Sequence, residues 1–260
     1  TVSKKPTTLY VGGHYGVLDA AYSEEGNDSS DFDGNITIVD AVVTPHIYVG
    51  GVIGYSNAAV SLKNIKHIGN ILLDFKTAGV TTSKNTTSEL CAAGIIGKIV
   101  DAALSIETAT SDGAVRFEVK NNPAQITIAS ISGAVGRANG GVTLKDITNN
   151  AVLNWDDNVS ATNNGFKYCM AGVIALVESG NATITNCHNT ALIHCFSYNN
   201  NGYLVSGGKP NTIAGIIGTT GLNEVYDDTA TIFGCTSTGQ LTTYRGLLGG
   251  IAGYVKNATV

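Results

Sequence analysis

Charged side chains are scarce in this chain, and their scarcity excludes several classes of protein. Asp, Glu, Lys and Arg make up only 13% of the 260 residues, which is about half of the usual share. Lys and Arg form no cluster and the formal net charge is −5, so nucleic acid is disfavoured as a partner because phosphate binding needs clustered cations. The composition also disfavours a coiled coil and an ordinary cytoplasmic α/β enzyme.

Long apolar runs are missing as well. The apolar segments are short and interrupted by glycine, so the sequence predicts no membrane-spanning segment. The chain opens with TVSKKPTTLY, which lacks the apolar stretch of a secretion signal. If the protein is exported, we expect its leader to lie outside this sequence.

The residues that are abundant favour β-structure. The chain contains 32 glycines and only 4 prolines, and 43% of its residues are apolar, enough for a sizeable core. Thr, Asn, Ser, Val and Ile are frequent. This composition indicates a β-rich protein that is secreted or exposed at a cell surface.

A glycine-rich element recurs along the chain at intervals of about 40 residues. Its copies read GGHYG, GGVIG, AGIIG, SGAVG, AGVIA, AGIIG and GGIAG. Their central glycines are Gly13, Gly51, Gly94, Gly133, Gly172, Gly215 and Gly250. A fixed period of this length is typical of solenoids and propellers.

A second element follows each glycine-rich copy, and a third follows five of the copies. The second pairs a hydroxyl residue with an aliphatic one, and the third is a short run of strand-forming residues. The copies of the second element are Thr37-Ile38, Ser61-Leu62, Ser105-Ile106, Thr143-Leu144, Thr183-Ile184, Thr231-Ile232 and Thr259-Val260. The copies of the third begin at Ile71, Val115, Val152, Leu192 and Leu241.

These elements predict an all-β fold, a parallel β-helix of about seven turns with three short strands in each repeat of about 40 residues. A β-propeller is the alternative, although its blades usually need four strands. Residues 1–47 are predicted to form an irregular N-terminal turn or cap, and residues 48–260 the repeats. The last repeat is cut short, so we expect the sequence to be a fragment of a longer chain.

The repeats resemble the GLUG-type repeat of bacterial cell-surface proteins. The best matches are AGVIALVESGNATITNCHNTALI (Ala171 to Ile193) and GGIAGYVKNATV. The third unit departs from the pattern with RANGGVTLKDITNNAV, and Ala175 replaces a glycine. The resemblance implies a right-handed β-helix on the outer surface of a bacterium or outside the cell, a role in adhesion or glycan contact, and no catalytic motif.

The five cysteines fall at repeated positions. Cys91 and Cys169 share one position two units apart, and Cys187 and Cys235 share another in adjacent units. Earlier units have Ile or Ala at the second position, which favours buried apolar cysteines. A Cys187–Cys235 disulfide stays open, because stacked strands bring their Cα atoms within range. Zinc bound by CHNTALIHC is a weaker alternative.

An acidic loop, SSDFDGNITIVD, raises the question of calcium. Asp31, Asp33 and Asp40 fall at ligand positions of an EF-hand-like pattern. The first position is Ser29, however, and no helix flanks the loop. A solvated turn is the better interpretation, so we expect no cofactor and keep calcium as the alternative.

Loops that combine aromatic and acidic residues are the candidate ligand sites. An aromatic ring packs on the C–H groups of a sugar, and carboxylates accept hydrogen bonds from its hydroxyls. Trp155 is the only tryptophan, and its alternative role is to fill the core. The candidates are Trp155, Asp156, Asp157, Tyr198, Tyr203, Tyr226, Asp227 and Asp228.

These features favour a non-catalytic secreted or cell-surface repeat protein, adhesin-like, that contacts glycans or partner proteins. The alternative is a polysaccharide lyase or glycoside hydrolase on a β-helical scaffold, which needs paired carboxylates on one face. Self-association through an exposed strand edge is a further expectation. The row of hydroxyls in the second element is interpreted as strand preference.

Overall fold

The computed structural model describes residues 8–25, 32–39, 46–75, 88–119, 126–157, 167–197, 211–220, 229–243 and 246–260. Within these ranges the secondary structure is β-strand, with no helix. None of the described residues therefore forms a helix long and apolar enough to cross a membrane.

Sheets A and B contain seven strands each, stacked in chain order. Sheet A consists of β1 (Thr8–Gly12), β6 (His46–Gly50), β9 (Ser88–Ala93), β12 (Ile126–Ser132), β16 (Lys167–Ala171), β21 (Thr212–Ala214) and β26 (Leu247–Gly249). Sheet B consists of β2 (Tyr15–Leu18), β7 (Ile53–Ser56), β10 (Ile96–Val100), β13 (Val135–Asn139), β17 (Ile174–Ser179), β22 (Ile217–Thr220) and β27 (Ala252–Tyr254).

Sheet C contains 14 strands and completes each turn of the chain. Its first strands are β3 (Tyr22–Glu25), β4 (Phe32–Asp33), β5 (Ile36–Val39), β8 (Val60–Phe75), β11 (Leu104–Val119), β14 (Val142–Asn149) and β15 (Val152–Asp157). The others are β18 (Ala182–Thr185), β19 (His188–Asn189), β20 (Ile193–Ser197), β23 (Ala230–Phe233), β24 (Thr236–Ser237), β25 (Leu241–Thr243) and β28 (Ala258–Thr259).

The chain passes through sheets A, B and C in turn and then repeats, which makes a parallel β-solenoid. One such turn is called a rung here. About five regular rungs run from β6 to β25. In the rung before them, the sheet C part consists of the separate strands β3, β4 and β5. The rung after them contains β26, β27 and β28. Strands of successive rungs pair in parallel and in register. The predicted solenoid is confirmed, and the propeller alternative is wrong.

The strand boundaries differ from the prediction in two ways. The glycine-rich element is two strands rather than one, because the chain bends at the central glycine between sheets A and B. The second and third elements join into single 16-residue strands in β8 and β11. No proline interrupts these long strands, and Gly69 and Gly113 adopt positive φ within them, so the strand bends without ending.

The first unit was aligned wrongly from the sequence. Thr37 pairs with Leu72, so Thr37-Ile38 is the third element of its rung. The second element is Ser23-Glu24, because Ser23 pairs with Ser61. An acidic residue at an inward position hides this copy of the hydroxyl–aliphatic pattern from sequence inspection.

The interior has two apolar cores that run along the solenoid. One lies between sheet B and the first half of sheet C, where Ile53, Leu62, Ile106 and Ile184 are buried. The other lies between sheet A and the second half of sheet C, where Val49, Leu73, Phe117, Trp155 and Met170 are among the buried residues. Alternation along each strand produces both, because every second side chain points inward.

A column of buried polar residues separates the two cores. It follows the parallel register of sheet C through His67, Ser111, Asn149 and Asn189 and ends at Ser237, which is half-buried. Each of these side chains lies against the central glycine of a repeat. A Cβ placed on Gly94 would be 2.0 Å from Ser111 Oγ and 2.2 Å from the carbonyl oxygen of Gly133. The close approach of sheet C to the bend explains the recurring glycine.

Candidate functional site

A column of hydroxyl side chains runs along the outer face of sheet C. Inward residues such as Leu62 and Leu144 alternate with outward serines and threonines, as the two-residue period of a strand requires. The column passes through seven rungs in direct register. Its members are Ser23, Ser61, Ser105, Thr143, Thr183, Thr231 and Thr259.

A groove with a volume of about 620 Å³ follows this column across five rungs. A second row of small residues lies beside the hydroxyls and includes Ala21, Ala59, Ala103 and Gly141. A Cβ added at Gly141 would meet nothing within 4 Å, which shows how open the groove is there. Four steps at the spacing of paired strands give a length of roughly 20 Å.

The two ends of the groove differ. At its C-terminal end, Asn181 Oδ1 accepts hydrogen bonds from the backbone N–H (3.1 Å) and the hydroxyl (3.0 Å) of Thr229. At its N-terminal end, Tyr22 donates to Glu24 at 2.8 Å and accepts from Tyr15 at 3.2 Å. Burial and these two hydrogen bonds raise the pKa of Tyr22, so its hydroxyl stays protonated and engaged within the protein.

None of the described residues that line the groove is charged. The next outward column, two residues further along each strand, alternates in sign through Glu25, Lys63, Glu107 and Lys145. Lys63 Nζ lies 3.1 Å from Glu25, and Lys145 Nζ lies 2.7 Å from Glu107. Hydrogen bonding to Lys145 lowers the pKa of Glu107 and raises that of Lys145. These charges neutralise one another, which leaves a groove suited to an uncharged ligand.

The structure also contains a buried ionic cluster, called the seam here, between the outward faces of sheets A and B. It comprises Tyr48, Glu89, Lys98, Arg137 and Glu178. Lys98 Nζ lies 2.8 Å and 2.9 Å from the two oxygens of Glu89, and Tyr48 donates to the same carboxylate at 2.6 Å. Arg137 bonds Glu89 through Nη1 and Glu178 through Nη2, the latter at 2.6 Å.

The seam is organised for stability rather than for chemistry. Glu89, Lys98 and Arg137 are each less than 10% exposed. Two carboxylates face two cations, so the cluster is neutral and its charges are hydrogen-bonded, as buried charges must be. Burial raises the pKa of the adjacent Cys91 to about 12, which keeps its thiol protonated and unreactive.

The structure contradicts a ligand-binding role for Trp155. Its side chain is fully buried, with its ring centroid 4.3 Å from that of Phe117 and 6.0 Å from that of Tyr168. Of the two roles considered for this residue, the core role is confirmed and the exposed sugar contact is wrong. The parallel register places it between Phe117 and Cys195 on the inward side of sheet C.

The other predicted ligand residues are dispersed. Asp156 is exposed on β15, paired with Glu118 on one side and Phe196 on the other. Asp157 ends the same strand, where only its backbone is described. Five candidates lie outside the described residues, namely Tyr198, Tyr203, Tyr226, Asp227 and Asp228. The structure therefore does not bring this predicted site together.

The predicted calcium ligands are not brought together in the described residues either. Asp33 is exposed on β4 and pairs with Ile68, whereas Asp31 and Asp40 lie outside the described residues. No group of three or more metal-binding side chains occurs in the part of the chain that the structure describes. The calcium alternative stays a prediction.

The groove itself was missed from the sequence. The hydroxyl column was visible as a recurring pattern but was interpreted as strand preference alone. The accompanying row of Ala21, Ala59, Ala103 and Gly141 carries no motif, because small residues become a groove only when the register stacks them. Locating Ser23 correctly would have required knowing that the first rung is interrupted between β3 and β4.

Comparisons of the chain with protein-family models, with curated proteins and with solved structures give no match. The resemblance to the GLUG-type repeat therefore stays a prediction.

Proposed function

We propose that the chain is part of a non-catalytic, adhesin-like repeat protein, secreted or displayed on a bacterial surface, that binds an extended neutral glycan along the groove of sheet C. The single observation that carries the proposal is the uncharged groove of about 620 Å³ lined by Ser61, Ser105, Thr143 and Thr183. The low content of charged residues and the resemblance to GLUG-type repeats support a surface location.

The chemistry of the lining matches that of a sugar chain. Each hydroxyl can donate one hydrogen bond and accept two, so it pairs with a sugar hydroxyl in either sense. The methyl groups of Ala59, Ala103 and Thr143 offer apolar area to the C–H faces of the rings. A groove roughly 20 Å long accommodates several sugar units, and a linear ligand gains contacts at each rung.

The enzyme alternative lacks a supporting observation in the described residues. Of the two carboxylates of the seam, Glu89 is buried and Glu178 is half-buried, and both are bonded to Arg137, so neither is free to act on a glycosidic bond. Two acidic pairs are candidates for such an enzyme, Asp156–Asp157 and Asp227–Asp228. The second pair lies outside the described residues, and only the backbone of Asp157 is described. Contact with a partner protein and self-association through a strand edge stay predictions.

A glycan array tests the proposal, with the wild-type protein compared with Thr143→Arg. An arginine at the centre of the groove blocks it, so we expect affinity for the bound glycan to fall at least about tenfold. Thr231→Arg is the matched control, because Thr231 occupies the same column one rung beyond the groove and adds the same charge.

Four outcomes distinguish the alternatives. Binding that is lost in Thr143→Arg and kept in Thr231→Arg supports the groove. Binding that is unchanged in both variants moves the site elsewhere on the surface. If no glycan binds to the wild-type protein, the proposal of a glycan-binding groove is wrong. Shortening of a bound glycan during the assay would instead support the enzyme.

A further inference from the structure

Cys187 and Cys235 face each other across two adjacent rungs. Cys187 follows β18 and Cys235 follows β23, which are paired in parallel. The partners Thr185 and Phe233 before them, and His188 and Thr236 after them, are in register. The two cysteines are 48 residues apart, the same separation as those pairs, so they stack directly. Stacked strands lie about 4.8 Å apart, within the range of Cα separations that a disulfide spans.

Cys187 also contacts the Cys235 thiol through its backbone. The backbone N–H of Cys187 donates to the sulfur of Cys235 at 3.4 Å. All five cysteines of the chain lie in described residues and all are free thiols. Cys187 and Cys235 are the ones that adjacent rungs bring together, because Ser130 separates Cys91 from Cys169 in their column.

The pair is asymmetric in a way that favours reaction. Cys187 is fully buried, whereas Cys235 is partly exposed. A hydrogen bond from the Cys187 thiol lowers the pKa of Cys235 to about 7, and the backbone N–H contributes to the same effect. The same contact and burial raise the pKa of Cys187. Cys235 therefore has thiolate character at neutral pH and access to solvent, the two conditions for attack on a disulfide.

We propose that Cys187 and Cys235 form a reversible disulfide site that is oxidised by small-molecule disulfides or by the disulfide of a thiol oxidoreductase. The Cys235 thiolate attacks one sulfur of the oxidant, forms a mixed disulfide and releases one thiolate. Cys187 gives its proton to that thiolate and attacks the sulfur of Cys235, which releases a second thiolate that is protonated by solvent. Two protein thiols are oxidised, and one disulfide is reduced to two thiols.

The position of the pair favours a disulfide that is readily reduced. Cys235 is partly exposed, and exposed disulfides are more readily reduced than buried ones. In its oxidised form it would fasten the rung of β23 covalently to the rung of β18, so the redox state would set how firmly the two rungs hold together.

Titration of the wild-type protein with oxidised glutathione tests the proposal. We expect the loss of two thiols per chain, and digestion should yield one peptide pair linked through Cys187 and Cys235. Dithiothreitol should restore both thiols. Cys187→Ala should stop at a glutathione adduct on Cys235, and Cys235→Ala should not react. Cys169→Ser is the control, because Cys169 is buried on the other side of the solenoid and its replacement should leave the reaction unchanged.

The proposal is overturned if the wild-type protein keeps all its thiols, if it stops at a glutathione adduct, or if another pair of cysteines is linked. Circular dichroism of each variant shows whether it is folded. Should Cys187→Ala fail to fold, alkylation of the wild-type protein decides: Cys235 must react with iodoacetamide faster than Cys91, Cys169 and Cys195, and equal rates would contradict the assignment.

Discussion

The outer face of sheet C and the seam between sheets A and B are built by the same repeat but differ in their exposure to solvent. Both are columns of outward side chains set by the parallel register. On sheet C the column stays in solvent, and its ion pairs, such as Lys145–Glu107, are exposed. At the glycine bend the chain doubles back, so the outward faces of sheets A and B meet and Glu89, Lys98 and Arg137 become buried. The bend, more than the residue types, decides which column stays open to solvent.

Substituting a central glycine should break this arrangement most severely. In Gly94→Ala the added Cβ would lie 2.2 Å from the carbonyl oxygen of Gly133, a backbone atom that cannot move without shifting its rung. We expect a loss of at least about 4 kcal/mol, or failure to fold. The free energy of unfolding, from urea titration followed by circular dichroism, measures it.

Gly141→Ala is the matched control for that substitution. Gly141 lies in a neighbouring rung, and nothing lies within 4 Å of its added Cβ. Its free energy of unfolding should change by less than about 1 kcal/mol, because the alanine methyl enters open space. Equal losses in the two variants would show that the bend tolerates a side chain and that the glycines have another cause.

The second largest effect is expected in the seam. Glu89→Gln leaves Lys98 and Arg137 buried with one carboxylate, that of Glu178, which bonds Arg137. Removing one partner of a buried ionic cluster typically costs about 3–5 kcal/mol. Urea denaturation at neutral pH measures the loss.

A double variant separates the charge effect from simple loss of packing. In Glu89→Gln with Lys98→Met, the remaining Arg137 and Glu178 balance each other. We expect the double variant to lose clearly less stability than the sum of the two single variants. Additive losses would show that the cluster is held together by packing and not by charge.

The parts of this fold that depend on periodicity were predictable from the sequence. The repeat of about 40 residues predicted the stacking, and the columns of Leu62, Ile106 and Leu144 follow the register that the pattern implies. Cys187 and Cys235 were likewise placed in one column, because Ile65, Ala109 and Ile147 precede them there.

Features that depend on the path of the chain between repeats were not predictable. The seam forms because the bend folds Glu89 of sheet A onto Lys98 of sheet B, and no spacing in the sequence encodes that contact. The sequence left two roles open for Trp155, since two aspartates follow it, and only the pleat of β15 turns its ring inward. The groove depends on alanines and glycine, which carry no chemical motif.

The buried column between the two cores offers a pH test of intermediate size. Burial lowers the pKa of His67 to about 4, against the opposing effect of Asp112, and neither ring nitrogen has a hydrogen-bond partner in the described residues. The unfolded chain takes up a proton on this ring between about pH 6.5 and 4, and the folded protein does not. Stability should therefore fall as the pH falls through this window, by on the order of 1–3 kcal/mol.

His67→Asn should remove this contribution, since Asn149 and Asn189 occupy the same column in later rungs. The measurement compares the urea midpoints of the wild-type protein and the variant at pH 7 and at pH 5. The difference in urea midpoint between the wild-type protein and the variant should shrink or reverse at pH 5. A difference that is the same at both pH values would mean that His67 does not titrate in this range.

The smallest effect is expected on the outer face of sheet C. Glu107→Gln removes the carboxylate that pairs with Lys145. Both side chains are exposed to solvent, so the loss of this ion pair should hardly change stability. The free energy of unfolding should stay within experimental error of the wild-type value, at low and at high salt. A loss comparable with that of Glu89→Gln would mean that the outer column, like the seam, holds the rungs together. The groove beside it would then be part of the structural framework, and its hydroxyls would be less free to exchange water for a ligand.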